Sequence, residues 1–127
     1  MVSMSNTAEK KLILSRLLPF YRELLTENQQ RMVSLFADED LSLSEIAEQY
    51  HVSRQSVHDA ITKAEKQMTD FESKLRLCEQ YEETSTILTL CSERLAMILS
   101  LALQDSVQEE IAKVKRMIDD LRNKEDS

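Results

Sequence analysis

Apolar residues recur along this chain at the three- and four-residue steps of amphipathic helices, with capping residues between the runs. Leu14, Leu17, Leu18, Tyr21 and Leu25 form the first apolar side, and Asn6 with Glu9 three residues on is the cap expected to open it. Pro19 falls inside that run. A proline in a helix interior removes one backbone bond and costs on the order of 3 kcal/mol, so a kink near Ser15 to Leu18, or a restart at Pro19, is predicted. Thr26 and Gln29 then form a capping box for a helix carrying Met32, Val33, Leu35 and Phe36 inward, closed by the polar turn Asp38-Glu39-Asp40.

A second box follows at once. Ser42 and Glu45 can each satisfy a backbone N–H that the start of a helix leaves orphaned, so a helix starts at Ser42 with Ile46 and Ala47 inward. Ser53 is placed to cap the next helix, whose Val57 and Ile61 return to the same core, and Val52 is expected to fill the corner between them. Two capped helices joined this tightly make a helix-turn-helix. From Val57 the stripe runs on through Ile61, Ala64, Met68, Phe71, Leu75 and Cys78 at alternating steps of four and three, which predicts one helix from about Arg54 to Gln80. Glu82 to Ser85 breaks the pattern and offers a new cap. Beyond it Ile87, Cys91, Leu95, Ile98 and Ala102 line one side of a further helix, widened by Leu88, Leu99 and Leu103 and broad enough to be buried. Asp105 and Ser106 open a last helix with Val107, Ile111, Val114, Ile118 and Leu121 in step.

Composition narrows this to an all-α chain. Among 127 residues there is no glycine, so the phosphate-cradling loops, dinucleotide fingerprints and nucleophile elbows that need one cannot be assembled. No catalytic residue, cofactor or metal ligand is expected. Cys78 and Cys91 lie thirteen apart and His51 and His58 seven apart, spacings unlike those that gather zinc ligands, and Cys91 among its aliphatic neighbours is expected to be a buried thiol. No apolar run approaches the roughly 18 residues of a membrane span. The polar start Met1 to Asn6 lacks the pattern of an export signal, so a cytoplasmic location is expected.

Leu25-Thr26-Glu27-Asn28-Gln29-Gln30, Leu41 to Glu48 and Val52 to Asp59, with Phe20-Tyr21 before them and Phe71 to Leu75 after, resemble the YlxM family of small bacterial helix-turn-helix proteins. The part up to about Met68 also resembles sigma-factor region 4. The resemblance implies an all-α helix-turn-helix bundle with a long recognition helix and a C-terminal helical extension, acting as a DNA-binding regulator or in the signal recognition particle pathway. On this reading, residues 1–70 form the DNA-binding-like domain and 71–127 the extension, a possible dimerisation region. Two positions depart from the usual pattern: His51 stands where such turns often carry glycine, and Ala64 follows Lys63 where a second basic residue is frequent.

With Val57 inward, a rotation of about 100° per residue puts Gln55, Asp59, Thr62 and Lys66 on the far side, with Ser56, His58 and Lys63 on the flanks and Arg54 at the tip. These eight are the candidate nucleic-acid-binding residues. Arg chelates guanine and Gln chelates adenine in the major groove, whereas Lys63 and Lys66 suit phosphates. The bland alternative is that Arg54 pairs with a nearby carboxylate and Gln55 and His58 are merely solvated polar residues on an exposed helix. Asp59 would repel phosphate unless it accepts from a cytosine or pairs with Lys63. Net charge opposes simple duplex binding: it is −7 overall, made up of −3 over residues 1–50, zero over 51–80 and −4 over 81–127. A chain with no basic segment must gather its cations in three dimensions, dimerise, or bind weakly. Three functions stay open: a DNA reader dimerising through a heptad stripe, around Phe71 to Cys78 or Val107 to Leu121; an accessory of the signal recognition particle that binds its RNA or its GTPase; and a scaffold or enzyme with no nucleic-acid role. The dimer has its own alternative, in which the last helices fold back within one chain.

Overall fold

The computed structural model describes residues 2–101 and 103–126, with side chains from Asn6 to Lys124 apart from residue 102. Every regular element among them is helical: α1 (Val2–Tyr21), a 3-10 turn (Arg22–Leu24), α2 (Glu27–Ala37), α3 (Leu43–Tyr50), α4 (Arg54–Leu75), α5 (Leu77–Leu99) and α6 (Asp105–Asp126). They divide into two compact units, Met1–Cys78 and Glu79–Ser127.

In the first unit, α4 packs against α1, α2 and α3. The core holds Leu14, Leu17, Leu18 and Tyr21 of α1, Met32, Val33 and Phe36 of α2, Ile46 and Ala47 of α3, and Val57, Ile61, Ala64 and Met68 of α4. The capping boxes at Thr26 and Ser42 form as their spacing requires, each hydroxyl accepting from the backbone three residues on and each N3 side chain accepting from the cap's own N–H. α1 departs from expectation at both ends. It begins at Val2, ahead of the cap expected at Asn6, and it passes through Pro19 to Tyr21 before tightening into the 3-10 turn. Burial of Leu14, Leu17, Leu18 and Tyr21, each contributing roughly 1.5–3 kcal/mol, outweighs the bond lost at Pro19.

The long helix expected as far as Gln80 stops at Leu75, and α5 then runs unbroken through Glu82 to Ser85, where a new start was expected. Three hydrogen bonds account for the earlier break. Arg76 turns into the left-handed region at φ 53°, and the Glu72 carboxylate accepts from both the Tyr21 hydroxyl (2.5 Å) and the Cys78 backbone N–H (3.0 Å). The Tyr21 oxygen in turn accepts from the Leu77 N–H at 3.4 Å. The start of α5 is thus capped from α4 and α1, and Cys78 closes the first core.

In the second unit α6 folds back so that the Asp119 carboxylate accepts from the buried Ser92 hydroxyl at 2.7 Å. Lys115 and Arg122 flank the same carboxylate at 2.8 and 3.4 Å. The Lys115 hydrogen bond first, then that from Ser92, holds this carboxyl below its ordinary range. Leu88, Leu95 and Leu99 are half-buried on the side of Ser92, whereas Ile87, Ile98 and Cys91, expected inside, are exposed. The packed side is therefore set about one residue position around the helix from the stripe read in the sequence, because Ser92 must face Asp119. Ala102, placed in that stripe, lies outside the described residues. On α6, Ile111 and Ile118 are half-buried and Val107, Val114 and Leu121 exposed.

Candidate nucleic-acid interface

The corner between α3 and α4 is built from backbone geometry. His51 adopts φ 56° and ψ 42°, and its N–H reaches back to the carbonyls of Ala47 and Glu48. The Val52 N–H follows to Ala47 at 3.0 Å, and the Ser53 hydroxyl caps α4 by accepting from the Ser56 N–H at 3.0 Å. Val52 does not fill the corner: it is 43% exposed, and the backbone bonds close the turn in its place. At the head of α3, the hydrogen bond from the Ser42 N–H holds the Glu45 carboxyl below its ordinary range.

These caps fix the direction in which α4 leaves the corner. Val57, Ile61, Ala64 and Met68 point inward, and Arg54, Gln55, Ser56, His58, Asp59, Thr62, Lys63 and Lys66 are all exposed. Ala64 is fully buried, so the second basic residue often found there would have to enter this core. Arg54, Lys63 and Lys66 make no ion pair among the described residues. Asp59 does not pair with Lys63. Its carboxylate instead accepts from the Gln55 amide at 2.9 Å and lies 3.5 Å from the His58 Nδ1, a chain of contacts along the outer side of the helix. The Ser56 hydroxyl lies 2.8 Å from that of Ser53, so it is engaged in the cap.

One contributor was missed in the sequence. The Lys10 ammonium, on α1, donates to the Thr62 hydroxyl at 2.9 Å and so reaches the outer side of α4. Lys10 and Thr62 are 52 residues apart, and nothing in the local pattern around Lys10 announces the contact. Among the described residues, no group of three His, Cys, Asp or Glu side chains could hold a metal ion, and no helix is long and apolar enough to cross a membrane.

The profile of the family described as "Putative helix-turn-helix protein, YlxM / p13 like" matches residues 8–104. The chain belongs to that family. The matched span runs from within α1 through α5 and ends just before α6. Curated relatives carry the same family designation, UPF0122. That of Desulforamulus reducens is 50% identical over 66 residues, 52% of this chain and 56% of that protein. The Shouchella clausii relative is 44% identical over 80 residues (63% and 73% of the two chains), and the Halalkalibacterium halodurans relative 42% over 85 residues (67% and 78%). The chain thus spans a little over half of the Desulforamulus protein and about three quarters of the other two. The helix-turn-helix of the YlxM / p13-like description is the α3–corner–α4 arrangement.

Proposed function

We propose that this YlxM / p13-like protein is a cytoplasmic DNA-binding regulator that lays α4 in the major groove of a duplex. The supporting observation is the outer side of α4: eight exposed polar residues, with Arg54 at the tip and two lysines about two and a half and just over three turns on. Arg54 and Gln55 read base edges, Lys63 and Lys66 bind phosphates, and Ser56 positions the helix start. Asp59, already held by Gln55 and His58, gives up or shares those bonds when a cytosine amino group arrives. A single such module in a chain of net charge −7 binds weakly, so the regulator works as a homodimer through its C-terminal helices. On α5 and α6, Ile87, Leu90, Met97, Ile98, Val107, Val114, Met117 and Leu121 are exposed. Each lies more than about 100° around its helix from Ser92 or Asp119, leaving an apolar outer side for a second copy.

Binding of short duplexes of varied sequence tests the reading. Arg54→Ala and Gln55→Ala narrow the affinity gap between preferred and other sequences by about 1–3 kcal/mol each, whereas Lys63→Ala weakens all sequences alike and flattens the salt dependence. Equal loss on every sequence for all three variants would sink base readout. The acidic balance of the chain favours a second reading, in which the same helix docks on the RNA or the GTPase of the signal recognition particle. Recovery of either from native extract at moderate salt, with no duplex preference, would select it.

A further inference from the structure

We propose that Lys10 of α1, together with Arg54 and His58 of α4, forms a phosphate-binding groove that seats one backbone phosphodiester of duplex DNA beside the reading helix. The inference rests on the reading of α4 as the DNA reader and adds α1 to that interface. The groove has a volume of about 300 Å³ and an apolar floor of Phe36, Leu43 and Ile61. Its polar wall is Lys10, Arg54 and His58 with Asn6 and Thr7, and among the described residues no carboxylate lines it. That composition is unusual in a chain carrying seven more acidic than basic groups.

The geometry also fixes the lysine. The hydrogen bond to Thr62 uses one of its three ammonium donors and holds the side chain over the outer side of α4, leaving the others for an anion. Arg54, which makes no ion pair among the described residues, has five N–H donors: two at the end of its fork suffice for a base edge, and the Nε side is left to share the phosphodiester, while His58 adds a ring at the groove edge, where its Nδ1 already lies near Asp59. The Asp59 carboxylate, one residue on from His58, is engaged by the Gln55 amide and the His58 ring and is not among the residues lining the groove. A phosphodiester, with one negative charge shared by two oxygens, suits two cations converging from two helices. The fold supplies here the local positive field that the linear sequence lacks.

The test is fluorescence anisotropy of the full chain with a labelled, mixed-sequence 30-base-pair duplex across a salt series. Lys10→Ala is expected to weaken binding about 3- to 10-fold at low salt and to reduce the slope of log affinity against log salt by about one. Lys10→Gln, which keeps a donor for Thr62 but removes the charge, behaves the same way, Lys10→Arg retains binding, and Lys113→Ala in the second unit leaves affinity unchanged. Wild-type affinity and slope in both Lys10→Ala and Lys10→Gln, with Lys63→Ala still weakened, would overturn the groove and leave the α4 reading standing. Loss in Lys10→Ala but not in Lys10→Gln would reduce Lys10 to a positioning residue for Thr62 and also overturn it. No saturable duplex binding by the wild-type chain at low salt would take down both readings. A loss confined to a labelled RNA hairpin of equal length would reassign the groove away from duplex DNA.

Discussion

Among the described residues, three carry backbone strain that glycine would ordinarily absorb. Asp40, His51 and Arg76 sit at φ 59°, 56° and 53°, each at the end of a helix or the turn after it. Aspartate tolerates this region through its short polar side chain, but histidine and arginine hold it only because neighbouring bonds over-determine the turn. His51→Val is therefore expected to lower the unfolding free energy by about 1–2 kcal/mol, and His51→Gly to cost nothing, as read by urea titration. A valine variant as stable as wild type would show that the corner owes little to this conformation. The absence of glycine was a sound guide to helical content and a poor guide to turns, since the chain makes its left-handed corners from other residues. Ala64, read as a missing cation, is a packing residue: the stripe that contains it was visible, and the closeness of α1 and α2 was not.

Among the elements, caps and inward stripes of the first unit were legible because each depends on neighbours three or four residues away. The break at Arg76 was not, since the side chain that makes it worthwhile is Tyr21, 51 residues from Glu72. Burial, and then the hydrogen bond to Glu72, pushes the Tyr21 phenol up to about 12. An acid whose folded value is raised above its ordinary value near 10 adds stability below that pH, and the addition is lost as pH climbs toward 12. Thermal melts between pH 9 and 11.5 should therefore fall more steeply for the wild type than for Tyr21→Phe, which has no phenol to ionise. Parallel curves would mean that the joint between α4 and α5 does not depend on this proton.

For the whole molecule, sequence charge and structural charge tell different stories. The linear chain shows no basic segment, yet Lys10, Arg54 and His58 converge, because one comes from α1 and the others from α4. The eight outward residues of α4 were legible from rotation alone; Lys10 required the tertiary fold. The second unit was read least well, since its stripe was wide enough to fit several rotations and a buried serine chose among them. Sedimentation is expected to show a dimer at micromolar concentration that Met117→Glu, at a position 71% exposed, converts to monomer without unfolding. A wild-type monomer would leave the apolar outer side of α5 and α6 without a second copy to cover it. The Ser92–Asp119 contact has a further consequence for that hairpin. Sliding α6 by one turn would bring a charged oxygen against Leu88 or Leu95, so the polar pair acts as a ruler that permits a single alignment of the two rods, and any assembly built on their outer side inherits that one spacing.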